Sequence, residues 1–296
     1  MSDQPHRLLA VPNFMVGSDE RVVGALEATL GAECKLLDTH MDARHGRTVI
    51  TVLADGGDLL TSLPAAAAQA SHLIDITRGN GLHPHIGATD VCPVVYPNDG
   101  LRDLAHTVAR QVAEKIGEAG IPVFLYGELA TDPKRVERSY FRSGGLEELT
   151  ARIESEEMEP DFGPPSLHPT AGATLVTARP PLVAFNLELD TPDLEAARAV
   201  AAELRESGGG PAGVRAIALP WTEGRTQISL NIGDPVAVPL REVIARTRRI
   251  ARAHGARVVA VELVGLTPHA ALEAYPDDLP IEGFDPDRKV IERLLV

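Results

Sequence analysis

Two histidines separated by one proline, His83 and His85, stand in the segment Gly81-Leu82-His83-Pro84-His85-Ile86-Gly87-Ala88-Thr89-Asp90-Val91-Cys92-Pro93. An imidazole exchanges protons near neutral pH, so this stretch carries a candidate general acid or base. Pro84 stiffens the segment, and Gly87 and Ala88 leave space beside the ring where backbone can meet a ligand. His83 is the leading catalytic candidate; the plain alternative is a histidine that satisfies loop hydrogen bonds. A second group is Asp38, at the end of the second expected strand, with His40 and His45 in the loop after it. Asp38 can orient an imidazole by accepting its N–H, as in an acid–base relay, or can cap its own loop. His40, His83 and His85, with Asp38, also form a conceivable set of ligands for zinc or another divalent ion. Arg47 and Arg179 each stand at an expected strand entrance, where a guanidinium can hold a carboxylate through paired hydrogen bonds.

The scaffold for these groups is bounded by composition. With 296 residues, 44% hydrophobic and 24% charged, the chain is an ordinary globular sequence expected to form two domains. Its formal charge of -14 argues against a nucleic-acid partner, which would need a basic surface. A small anion would instead require local arginines or lysines working against the overall field. No apolar stretch suffices to cross a bilayer, and Met1-Ser2-Asp3-Gln4-Pro5-His6-Arg7 is not a signal peptide, so a cytoplasmic protein without a membrane partner is expected. Cys34 and Cys92 form no metal-type pair and read as core thiols.

Along the chain, Arg7 to Phe14 reads as a strand stopped by Pro12-Asn13, followed by a helix from Ser18-Asp19 to Leu30. Cys34 to Asp38 is a second strand, and Thr39 to Gly46 a polar loop. The β-branched run Thr48 to Leu53 is a third strand, and Asp58 to Ile74 an alanine-rich helix with Pro64 at a break or an early turn. After the histidine segment, Val91 to Tyr96 is a strand that Pro93 should shorten or confine to an edge. A helix from Leu101 to Glu118, a strand from Ile121 to Tyr126 and helical segments from Thr131 to Ile153 follow. The proline-rich stretch from Pro160 to Pro169 is the best connector. Beyond it, strands at 181–189, 214–221, 226–232 and 257–264 and helices at 191–206 and 240–254 give the order of a ferredoxin-like unit. The first half starts the same way, so two related α+β layers are expected.

These pieces carry a resemblance. Val11-Pro12-Asn13-Phe14, Leu36-Leu37-Asp38, Arg47-Thr48-Val49, His83-Pro84 and Gly87-Ala88-Thr89-Asp90-Val91-Cys92-Pro93 resemble the formiminotransferase domain of glutamate formimidoyltransferases. So do Pro122-Val123-Phe124-Leu125-Tyr126, Pro160-Asp161-Phe162-Gly163-Pro164, Ala178-Arg179, Ala184-Phe185-Asn186, Gln227-Ile228-Ser229-Leu230-Asn231 and Val264-Gly265-Leu266, in the family's order. The resemblance implies an α+β fold of two ferredoxin-like subdomains, 1–178 and 179–296, with a groove between them and a homodimeric assembly. It implies transfer of a formimino, or formyl, group between N-formimino-L-glutamate and N5 of tetrahydrofolate, a one-carbon step of histidine degradation. Tetrahydrofolate is then a co-substrate, His83 the acid–base residue, His40 and Asp38 its relay positions, and Arg47, Arg179, Asn13, Gly87, Ala88 and Asp90 the substrate and folate site.

The same resemblance shows where this chain departs. The pattern Val-Pro-Asn-Phe-Ser-Glu-Gly ends here in Met15-Val16-Gly17, without the acid. The pattern's second aspartate, which pairs with the catalytic histidine, is His40, and its asparagine before Arg47 is Gly46. Gly-Glu-His-Pro-Arg-Met-Gly-Ala becomes Gly81-Leu82-His83-Pro84-His85-Ile86-Gly87-Ala88. Two alternatives therefore stand beside transfer: a divergent member that binds a folate-like anion without moving a group, and a metal-dependent enzyme using His40, His83 and His85.

Overall fold

The computed structural model describes residues 6–79 and 81–295; residues 1–5 of the amino-terminal stretch, Asn80 and Val296 lie outside the described residues. The chain divides after Pro180, just beyond the boundary expected at 178, because Arg179 still belongs to the first unit's sheet.

In the first unit, β1 (Arg7–Ala10) and β2 (Asn13–Phe14) are one line of chain interrupted at Val11-Pro12. Helix α1 (Glu20–Gly31) is capped by Asp19, whose carboxylate accepts the N–H groups of Arg21 and Val22. Next come β3 (Lys35–Asp42), β4 (Arg47–Asp55), helix α2 (Gly56–Leu73) and β5 (Thr89–Val95). The antiparallel order β3, β4, β1/β2, β5 is that of a ferredoxin-like sheet. Helix α3 (Arg102–Glu118), β6 (Val123–Leu125), α4 (Arg138–Arg142), α5 (Gly145–Glu154) and β7 (Thr174–Arg179) extend it, with β7 parallel to both β5 and β6.

Residue alternation along these strands separates two cores. Cys92, Val94, Val123, Leu125, Val176 and Ala178 face one core with α1, α2 and α3. Val91, Phe124 and Leu175 face another with Phe141 of α4 and Leu149 and Ile153 of α5. Cys34 and Cys92 are both free and buried, and burial pushes the Cys92 thiol up to about 12.

Three sequence expectations change. The second strand runs on to Asp42, so His40 is a strand residue opposite Val49 and the connecting loop shrinks to 43–46. β3 pairs only with β4 and is mostly half-exposed, so its polar residues carry no apolar alternation to mark it as a strand. Pro64 lies within α2 rather than at its start. Pro93, expected to shorten its strand or confine it to an edge, sits inside the fully buried β5 between β1/β2 and β7. It fits because the interruption at Val11-Pro12 lies alongside: the Pro93 carbonyl accepts Val11 N–H at 3.1 Å, while the missing donor falls where the neighbouring strand is broken.

The second unit contains β8 (Val183–Leu189), α6 (Leu194–Leu204), β9 (Val214–Pro220), β10 (Thr226–Ile232), α7 (Leu240–Ala253) and β11 (Val258–Val264). Its sheet order β11, β8, β10, β9, antiparallel throughout, is the ferredoxin-like arrangement expected from the pattern. Asp193 caps α6 through the N–H groups of Glu195 and Ala196, and Pro192 precedes the cap. Phe185, Leu187, Val200, Leu230, Val243 and Ile250 fill its core. Among the described residues no helix is long and apolar enough to cross a membrane.

Candidate active site

The histidine loop enters β5 through backbone contacts that exclude side chains. Ala88 N–H donates to Ala171 at 2.9 Å, Ala173 N–H to Ile86 at 2.9 Å and Met15 N–H to Ala88 at 2.8 Å. A Cβ on Gly87 would stand 1.9 Å from the Ala173 oxygen, so this position admits only glycine without moving backbone. Gly87 and Ala88 thus serve close packing here. Asn13, buried in β2, uses its side-chain amide on the Val11 carbonyl at 2.7 Å.

Asp90 sets the loop's far end. It is completely buried, accepts Ile86 N–H at 2.9 Å, and pairs with the Arg142 guanidinium. Arg142 and Arg138 are four residues apart on α4, hence on one face of the helix. Neither belongs to a recognisable motif. Their signal was present: two cations at helical spacing in a chain of net charge -14.

His83 is half-buried. Arg47 Nη1 approaches its Nε2 to 2.7 Å and its Nδ1 to 3.3 Å. Arginine has only donors, so the nearer nitrogen must offer a lone pair and the ring is neutral. Desolvation pushes the proton affinity of His83 well below the ordinary histidine value, and the charges of Arg47, Arg142, Arg138 and His45 push the same way. Arg47 opens β4 opposite Asp42, and burial lowers it to about 9 against the opposing pull of Asp90 and Asp42. Arg179 closes β7; burial lowers it to about 10, with Arg138 adding to the effect and Tyr126 opposing it. Its Nη1 donates to the Pro180 carbonyl at 2.9 Å.

His83 and Arg47 are therefore brought together, and Arg138 links both electrostatically to Arg179. His85 turns back on its own loop, with Nδ1 at 3.1 Å from the His83 carbonyl oxygen. Asp38 and His40 lie two residues apart on β3, on one face of the strand. Among the described residues, His40, His83 and His85 do not gather into a metal-ligand group. A cavity of about 390 Å³ adjoins the loop, lined by Met15, Gly17, Gly46, Arg78 and Gly81 among others, within the size range of small-molecule sites.

A ferredoxin-like sheet extended by two parallel strands is followed in the chain by a second ferredoxin-like unit, and both parts match models of one family. Residues 7–179 match the formiminotransferase domain, N-terminal subdomain, and residues 184–276 match the formiminotransferase domain, so the chain belongs to the formiminotransferase domain family. Among particular relatives, it is 36% identical over 294 residues to a glutamate formimidoyltransferase of Streptococcus pyogenes serotype M1, covering 97% of each chain. It is 33% identical to the glutamate formimidoyltransferase of Thermoplasma acidophilum, across 96% of this chain and 95% of that one. The formimidoyltransferase-cyclodeaminase of Gallus gallus is 35% identical over 88% of this chain but only 50% of its own length.

Proposed function

We propose that this chain is a tetrahydrofolate-dependent glutamate formimidoyltransferase, moving the formimino group of N-formimino-L-glutamate to N5 of tetrahydrofolate in histidine breakdown. The observation that carries this reading is the neutral His83 imidazole held beside Arg47, with Arg138 close enough to bias both. Arg138 has no carboxylate partner among the described residues, so its guanidinium is available to an anionic substrate. Family membership and the two full-length relatives support the same assignment. We also place the protein in the cytoplasm as a homodimer, the latter checked by light scattering, which should report the mass of two chains.

His83 Nε2 accepts the proton that N5 loses as it bonds to the amidine carbon. The imidazolium returns that proton to the glutamate nitrogen as the bond from that nitrogen to carbon breaks, leaving His83 neutral again. Arg47 releases Nε2 by turning to a carboxylate of the substrate, which binds a guanidinium better than a neutral imidazole does. Arg138 and Arg179 supply further positive charge for the same ligand.

The direct test is formation of 5-formimino-tetrahydrofolate by the purified protein. Binding of tetrahydrofolate in calorimetry without any product would favour the non-transferring alternative. Arg138→Met should raise KM for the amidine donor about ten- to a hundredfold, the range for a hydrogen bond to a charged group, while changing kcat less than about threefold. An unchanged KM would remove Arg138 from the substrate site.

The pH dependence has a definite sign. The reactive form of His83 is neutral, and its proton affinity is depressed, so protonation begins only well below the usual histidine value of about 6.5. The acidic limb of kcat/KM in the free enzyme should therefore lie below that value. A limb centred at or above about 6.5 would contradict this account of His83.

A further inference from the structure

The turn between β3 and β4 holds a carboxylate–imidazole pair to which the transfer mechanism assigns no role. Asp42 Oδ1 accepts the N–H groups of Arg44 at 2.8 Å and His45 at 2.9 Å, and its Oδ2 pairs with His45 Nδ1. Burial alone would raise the Asp42 carboxyl, but these bonds outweigh it and hold the group below its ordinary value. One aspartate thus fixes both the backbone and the ring of His45, which is 6% exposed.

This pair is in contact with the catalytic loop in two ways. The His45 and His83 rings meet edge to face, with centroids 6.1 Å apart and planes at 85°. Leu82 N–H donates to the Arg44 carbonyl at 3.1 Å, and a Cβ on Gly81 would come within 2.2 Å of the His45 oxygen. The backbone on the amino-terminal side of His83 is therefore seated on the same turn whose histidine meets its ring.

We propose that the Asp42–His45 pair is the positioning element for His83, an imidazole oriented by a carboxylate and set against the His83 ring. The proposal rests on the reading of His83 as the proton carrier. The charges acting on His83 include those of Arg47 of β4, Arg138 and Arg142 of α4, and His45 of the turn. Asp90 of β5 offsets Arg142, and Asp42 offsets His45. When His83 takes a proton, its new charge meets three guanidinium groups, and Asp42 is the acid placed to balance the histidine that touches it. His45 limits rotation of the His83 ring, so that Nε2 stays on the side from which Arg47 approaches.

The test is nitrogen NMR of the full chain with labelled histidine, following the His83 titration in the wild type, in Asp42→Asn and in His45→Gln. The asparagine keeps an acceptor for both turn amides, so this variant preserves the backbone of the turn. His45→Gln should move the His83 midpoint up, because the influence of His45 that opposes its protonation is lost and Asp42 stays. Asp42→Asn should move it down, because a carboxylate charge that favours the added proton is lost. Each variant should lower kcat about tenfold with KM changed less than about threefold. A purely structural role would not move the midpoint in opposite directions.

The proposal is overturned if His45→Gln leaves the midpoint in place, or if both variants move it the same way. Should His45→Gln fail to fold, an unmoved or raised midpoint in Asp42→Asn overturns it alone. The titration needs no substrate, so its outcome is separate from that of the transfer assay. Opposite shifts in a protein that transfers no formimino group would uphold the positioning role and refute the reaction.

Discussion

Replacing Arg142 with methionine should cost about 3–5 kcal/mol of folding stability, the range for leaving one member of a buried ion pair without its partner. Asp90 is completely buried and its two carboxylate oxygens are committed to Ile86 N–H and to Arg142. Methionine keeps much of the arginine's length and apolar stem but removes the charge. Asp90 must then remain ionised without its guanidinium or take up a proton, and either route weakens the fold. Urea denaturation measures the loss. Adding Asp90→Asn to Arg142→Met should recover part of it, because the stranded charge is gone while an acceptor for Ile86 remains. A loss below about 1 kcal/mol in the single variant would show that Asp90 does not depend on Arg142.

His83→Ala should have the largest effect on activity. A positioned acid–base side chain contributes about a hundred- to ten-thousandfold in rate, and the fall should appear in kcat for formimino transfer. KM should change little, because the groups proposed to hold the substrate's anions are arginines and not the imidazole. Truncation removes the acceptor of the Arg47 hydrogen bond, so stability must be measured beside the rate. The folded variant should still bind tetrahydrofolate in calorimetry. A kcat loss under about tenfold would mean that another group, or solvent, carries the proton.

The scaffold was largely legible because its signals are local and repeated. Alternating apolar residues marked the four strands of the second unit, and the glycine stops, acid caps and helical stripes marked its two long helices. The first unit was harder where burial does not follow sequence neighbours. His40 read as a loop residue because β3 is a half-exposed edge with little apolar contrast. β7 went unnoticed behind the proline-rich connector, since its pairing with β5 and β6 joins segments far apart in the chain.

The candidate site was legible at His83 and Arg47 and not in the groups around them. His83 and Arg47 could be named from residue type and family pattern, and the structure sets them 2.7 Å apart. Arg138, Arg142 and Asp42 could not, because their significance depends on which distant strand or loop they reach. An aspartate three residues before a histidine is a common local arrangement. Only the edge-to-face contact of His45 with His83 turns it into a component of the site.

The paired irregularities at Pro12 and Pro93 bear on how the first sheet avoids mispairing. Leu9 lies opposite Val95, Ala10 opposite Val94 and Asn13 opposite Val91, so the line of chain keeps its pairing across the break until Phe14. Sliding β5 by one position would set a nitrogen that cannot donate against a carbonyl that needs a donor, and would turn every β5 side chain to the opposite core. Two prolines at the centre of the sheet therefore act as a key cut for a single lock position. Since the histidine loop leads directly into β5, that key also determines where along the sheet the imidazole of His83 comes to rest.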